Sequence, residues 1–124
     1  MIAVIDDDSS IRRAMSDLIE LLGHTVESFA SAEEFLASDR FCQISCLVTD
    51  VQMSGMSGVE LQGLLLSKGY RNPVIFVTAF PHEAVRQRVL KDGAIGYLTK
   101  PLREESFIAC LNKALSEPYA NRNS

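Results

Sequence analysis

No run of apolar residues in this 124-residue sequence approaches the roughly 20 that a membrane-spanning helix needs. The apolar start, Met1 to Ile5, meets Asp6 at once and is too short for the core of a signal peptide. A soluble, cytoplasmic protein with no membrane partner is therefore expected. Cysteine is scarce: Cys42, Cys46 and Cys110 are odd in number and contain no C-x-x-C pair, which argues against a disulfide framework and for a reducing compartment. They read as small buried or half-buried thiols. Positive charge is also in deficit, with a net charge of -4, so neither nucleic acid nor an anionic membrane is expected as the main partner of the chain itself. Internal repeats and low-complexity tracts are absent. What remains, 47% hydrophobic and 23% charged residues, is an ordinary globular balance. A single domain of this length buries roughly two-thirds of its unfolded surface and needs no covalent or metal staple to fold.

Short Val- and Ile-rich runs alternate with longer stretches of helical period. The runs are Ile2 to Ile5, Thr25 to Phe29, Ile44 to Thr49, Val74 to Val77 and Ile95 to Leu98. Between them, Ile11, Met15, Leu18 and Leu22 recur at helical spacing after Ser9 and Ser10, which offer an N-cap, and Gly23 stops that helix. Ser31 and Glu34 fit a capping box for a short second helix ending near Asp39. Val59, Leu61, Leu64 and Leu65 mark a third helix stopping at Gly69; Val85 and Val89 mark a fourth stopping at Gly93; Phe107, Ile108, Leu111 and Leu115 mark a fifth. Apolar runs, as opposed to alternating ones, indicate strands buried on both faces. The fold expected is α/β: a flavodoxin-like (βα)5 three-layer sandwich whose parallel five-stranded sheet has order 2-1-3-4-5. The stretch Pro118 to Ser124 reads as a linker or disordered tail.

In such a sheet, ligands bind beyond the carboxyl ends of the strands, where the strand order reverses. The first run ends in Asp6-Asp7-Asp8, the third in Asp50, the fourth in Thr78 and the fifth in Thr99-Lys100. These ends converge on one pocket. Two unit charges at about 4 Å repel by about 4 kcal/mol at an effective dielectric near 20, so clustered carboxylates need an offset. Lys100 is one candidate, and a hard divalent cation is the other; oxygen ligands with room for water suit Mg²⁺. Asp8, beside the start of the first helix, is read as a charge favoured by the helix dipole. Asp50 is the natural nucleophile: a carboxylate can attack phosphorus and form an aspartyl phosphate. A cation on Asp7, the Lys100 ammonium and the Thr78 hydroxyl could each take one phosphoryl oxygen.

These residues carry a family resemblance over nearly the whole chain, from Ile2 to about Leu115. An acidic pair (Asp6, Asp7), an Asp-x-x-Met-x-x-Met-x-Gly-x-Glu-Leu stretch from Asp50 to Leu61, Thr78-Ala79, and Gly96-Tyr97-Leu98-Thr99-Lys100-Pro101 occur in this order and spacing. The chain resembles the receiver domain of two-component response regulators. The Val59-Glu60-Leu61 context is most similar to receivers of nitrogen-fixation-type regulators, which carry a helix-turn-helix output domain. The resemblance implies a phosphoacceptor domain over residues 1–117, not a conventional enzyme, that catalyses its own phosphoryl transfer and dephosphorylation. It implies Asp50 as acceptor of a phosphoryl group from a sensor histidine kinase. It implies Mg²⁺ or Mn²⁺ held by Asp6, Asp7, Asp50 and the backbone carbonyl of Gln52, with Lys100 on the phosphate. It further implies Thr78 and Tyr97 as a switch pair in which an exposed ring turns inward, and Gln52 and Phe80 as positions that tune phosphoryl lifetime. A cis Lys100-Pro101 bond is implied too, and a homodimer through the face of the fourth helix, fifth strand and fifth helix. DNA would be reached only through an output domain outside this chain.

One departure from the family pattern is Ser54, where many receivers have proline; with Gly55 beside it, the rigidity of this loop is in question. His24 and His82 read as solvated, as do Arg86, Arg88 and Lys91 on the fourth helix, and Met53 and Met56 as loop packing. A haloacid-dehalogenase-type phosphatase needs an acid two positions after its nucleophile, where this chain has Gln52. A flavin-binding flavodoxin is disfavoured by the repulsion of Asp6, Asp7 and Asp8 for a phosphate. A receiver-like module that signals without phosphorylation stays open.

Overall fold

The computed structural model describes residues 1–116; the tail expected at 118–124, and residue 117, lie outside the described residues. Five strands, β1 (Ile2–Ile5), β2 (Val26–Phe29), β3 (Cys46–Asp50), β4 (Val74–Thr78) and β5 (Gly96–Thr99), form one all-parallel sheet of order β2-β1-β3-β4-β5. Five helices alternate with them: α1 (Ser9–Leu21), α2 (Ala32–Ala37), α3 (Gly58–Ser67), α4 (Glu83–Lys91) and α5 (Glu104–Ser116). This is the expected order. Successive strand side chains point to opposite faces, and the core divides accordingly. Ala3, Ile5, Leu47 and Phe76 face α2, α3 and α4 through Phe35, Leu61 and Val89. Ile2, Val4, Val48, Ile75 and Val77 face α1 and α5 through Met15, Ile19, Phe107 and Leu111. Both faces of β1, β3 and β4 are covered, which is why those strands read as unbroken apolar runs.

Several local expectations need correction. The N-cap of α1 is Asp8, not Ser9 or Ser10: its carboxylate accepts from the backbone N–H groups of Ser10 and Ile11 at 2.9 and 3.3 Å. An ionised cap satisfies two helix-end donors and also meets the dipole, which a serine does less well. At α2, Ser31 Oγ accepts from Glu34 N at 3.0 Å, but the Glu34 carboxylate reaches Ala30 N at 3.4 Å, so the reciprocal half of the box is displaced by one residue. A complete capping box stands instead at α3, between Ser57 and Glu60. The third strand begins at Cys46, not Ile44, and Phe41–Gln43 form a 3-10 turn ahead of it. Cys42, in that turn, is exposed, unlike the buried Cys46 and half-buried Cys110. His24 is half-buried. No helix among the described residues is long and apolar enough to cross a membrane.

Candidate phosphoacceptor site

Strand register brings the polar ends together. Ile5 pairs with Thr49, so Asp6 is level with Asp50; Asp50 pairs with Val77, and Thr78 with Thr99. Asp6 and Thr78 are fully buried and Asp50 is 6% exposed, whereas Asp7 is exposed. Carboxylate oxygens of Asp6, Asp7 and Asp50 lie within 4.8 Å of one another. Lys100 Nζ donates to Asp50 Oδ2 at 2.8 Å and to Asp6 Oδ2 at 2.9 Å. Three carboxylates against this one ammonium leave a local excess of negative charge. The Arg12 guanidinium is nearby, donating to the Asp6 backbone carbonyl at 2.7 Å. Arg12 was not anticipated, although its place in the first turns of α1 returns its side chain toward the end of β1.

The electrostatics follow from burial. Desolvation pushes the Asp6 carboxyl above its ordinary value, against the lowering effect of the Asp8 backbone N–H and of Lys100, and the neighbouring charge of Asp50 adds to the rise. For Lys100, burial alone would lower the pKa, but hydrogen bonds and charge from Asp50 and Asp6 outweigh it and hold the ammonium above its ordinary value.

The loop after β3 is tied from several sides. Gln52 N–H donates to Asp50 Oδ1 at 3.1 Å, Ser54 N–H to Asp7 Oδ2 at 3.3 Å, and Met56 N–H to Glu33 Oε2 at 2.8 Å. Gly58 N–H closes the loop on the Val51 carbonyl at 2.9 Å. A Cβ on Gly58 would run into the backbone carbonyl of Asp50, so the approach of α3 to the end of β3 requires glycine there. Met53 and Met56 pack against the core, as expected.

On the other side, Thr78 Oγ1 accepts from Phe80 N at 3.1 Å. The Tyr97 ring is half-buried against the α2–α3–α4 core, not exposed, and its hydroxyl accepts from His82 N at 3.2 Å. Phe80 is 70% exposed. The Lys100-Pro101 bond is cis. Arg86 and Arg88 are exposed on α4, with Arg86 paired to Glu83 at 3.0 Å. Arrayed this way, the strand ends combine a candidate nucleophile, paired acids, a cation and a hydroxyl donor, a set suited to phosphoryl transfer.

Residues 2–112 match the response regulator receiver domain family. The chain is 34% identical over 113 residues to the transcriptional regulatory protein TdiR of Thauera aromatica, covering 91% of this chain and 50% of that protein. It is 35% identical over 112 residues to the transcriptional regulatory protein FixJ of Azorhizobium caulinodans, covering 90% and 53%. Among solved structures, the response regulator StyR superposes with a TM-score of 0.88 at 36% identity, over 98% of this chain and 62% of that one. The chain spans about half the length of the curated relatives it matches. By sequence and by fold, this chain belongs to the response regulator receiver domains of two-component signal transduction, and relatives of it are transcriptional regulators.

Proposed function

We propose that this domain accepts a phosphoryl group from the phosphohistidine of a sensor histidine kinase onto Asp50, and that the modification switches an interaction surface controlling an output, transcription in the full-length protein. The observation that carries the reading is the Lys100 ammonium bonded at once to Asp50 and Asp6, with Asp7 in the same cluster. Oxygen donors gathered with excess negative charge fit a hard divalent cation, Mg²⁺ or Mn²⁺, on Asp6, Asp7, Asp50 and the Gln52 carbonyl. Such a cation would supply charge neutralisation for the phosphoryl oxygens.

The residues divide the remaining work. A carboxylate oxygen of Asp50 bonds to phosphorus as the bond to the kinase imidazole nitrogen breaks; the electron pair stays on nitrogen. Lys100, now on the Asp50 carboxylate, transfers its hydrogen bond to a phosphoryl oxygen. Thr78 Oγ1 accepts from Phe80 N, which leaves its own O–H to donate to another. When Thr78 turns to the phosphate, the Phe80 and His82 segment loses its tie, and Tyr97 releases His82 and moves further inward. This alters the face of α4, β5 and α5, where Arg86, Arg88 and Tyr97 sit, and a phosphorylation-dependent homodimer forms there. Water ends the signal by attacking phosphorus, at a rate set by side chains at Gln52 and Phe80. Residues 1–117 act as the phosphoacceptor unit on the cytoplasmic side of the signalling pair, with DNA contacted only by an output domain. Labelling with acetyl phosphate and Mg²⁺ tests the reading: one phosphoryl group by intact mass is expected, and none with a chelator present.

A further inference from the structure

Glu33 lies in the first turn of α2, an element with no part in the proposed phosphoryl chemistry. Its carboxylate nevertheless crosses to the loop after β3, where Oε2 accepts from Met56 N–H at 2.8 Å. The loop is shaped around that carboxylate. Gly55 has φ +80°, which favours glycine, and a Cβ there would push the Glu33 carboxylate out of its present position beside the loop. On the near side of the same loop, Ser54 N–H donates to Asp7 Oδ2 at 3.3 Å. That donor exists only because residue 54 is not proline, which has no backbone N–H. The loop is thus held between two carboxylates, one from α2 and one from the acidic pair at the end of β1.

We propose that Glu33 is a positioning residue for the acceptor loop. It anchors Met56 so that Ser54 N–H meets Asp7 and the Gln52 backbone, whose N–H bonds Asp50 Oδ1, keeps its place. In effect the chain replaces the stiffness of a proline at 54 with two charge-assisted hydrogen bonds. The shorter of them, to Glu33, is the stronger anchor, since a 2.8 Å bond from an amide to a carboxylate is near the optimum and 3.3 Å is beyond it. Asp7 is exposed, so without the Ser54 tie its side chain would sample several rotamers; fixing it lowers the ordering cost of binding a cation. Accepting one hydrogen bond does not close Asp7 to a cation, because each carboxylate oxygen has a second lone pair.

The proposal rests on the cation reading above, and its test separates the two. Three proteins are compared: parent, Glu33→Ala and Glu33→Gln. Without cation, hydrogen exchange at the Met56 amide should be fast in Glu33→Ala and slow in parent and in Glu33→Gln, whose amide oxygen also accepts. Titration with Mg²⁺ should then show affinity lowered on the order of five-fold in Glu33→Ala and restored to within two-fold, roughly, in Glu33→Gln. Equal exchange at Met56 in all three would overturn the anchor. Fast exchange with unchanged Mg²⁺ affinity would overturn the positioning role. Equal weakening in both variants would mean that the charge of Glu33 acts at a distance and the hydrogen bond does not matter, which also overturns it. If the parent binds no Mg²⁺ at all, the cation reading fails and the positioning role with it, while the Met56 exchange still decides whether the anchor exists.

Discussion

The site has two sides, and they are built differently. On the side of β1 and β3, charges hold the groups: one ammonium bridges two buried carboxylates at 2.8 and 2.9 Å, and a guanidinium caps the Asp6 carbonyl. On the side of β4 and β5, single neutral hydrogen bonds hold Thr78 to Phe80 and Tyr97 to His82, at 3.1 and 3.2 Å. Charge-assisted bonds are roughly twice as strong as neutral ones. Under the proposed function, the acidic side is preassembled for phosphoryl transfer and the hydroxyl side is the one that rearranges. Each neutral bond contributes about 1 kcal/mol net, so the new contacts of a phosphoryl group suffice to exchange them.

Lys100 is where this contrast breaks most visibly. Lys100→Met strips the ammonium from two carboxylates, and phosphorylation by acetyl phosphate should slow on the order of 100-fold, as for loss of one preorganised charge donor. Stability should fall too, by about 3 kcal/mol near neutral pH, because a buried charge loses its partner. The pH dependence has a defined sign. The Asp6 carboxyl is already raised and rises further without Lys100, so the folded state binds that proton more tightly than the unfolded one, and stability drains away as pH rises above about 4. In the parent, the Lys100 ammonium stabilises the fold wherever its carboxylate partners are ionised, up to about 10.5, and that contribution is lost as pH rises through its raised folded value. Urea midpoints at pH 5 and pH 8 check this: the variant should lose more at pH 8, and a pH-independent deficit would refute the account of Asp6.

Asp7→Ala removes the exposed member of the acidic cluster. Mg²⁺ affinity should drop about ten-fold or more, as expected when one of so few carboxylate ligands is lost, while stability without cation stays level or rises from relieved repulsion. Parallel Mg²⁺ titrations and thermal melts measure both, and matching affinities would remove Asp7 from the cation site. Thr78→Ala tests the other side. It should still take up phosphoryl label within about ten-fold of the parent rate, a smaller loss than that of Lys100 because a neutral donor is removed. It should nonetheless fail to self-associate in sedimentation when labelled. A variant that dimerises as the parent does would end the switch proposal. Phe80→Ala should have the smallest effect. The ring is largely in solvent, so the dephosphorylation rate should change by a few-fold at most, followed as loss of label; an identical rate would exclude the ring from shielding the phosphate.

Much of this was legible in the sequence for one physical reason. A doubly covered parallel sheet writes its strands as apolar runs and its candidate site as the polar residues that end them, so Asp6, Asp7, Asp50, Thr78 and Lys100 stand out in the sequence alone. Contacts made by residues away from the strand ends were not legible. Glu33 reads as an ordinary acidic residue in a helix's first turn, and nothing in its neighbours points to Met56, 23 residues away. Nothing beside Gly58 in the sequence signals that the carbonyl of Asp50 packs against it. The N-cap was misplaced because Asp8 and Ser9 are both good caps, and only the backbone decides which one flanks the helix. The half-burial of Tyr97 depends on packing against the core shared by α2, α3 and α4, which no local pattern encodes.

The central claim is that Asp50 is the phosphoacceptor, and the most direct measurement is intact mass after acetyl phosphate and Mg²⁺ treatment of the parent and of Asp50→Asn. The account predicts one added phosphoryl group on the parent and none on the variant, whose amide keeps the shape but lacks the nucleophilic carboxylate. A variant that gains the group as fast as the parent would contradict it.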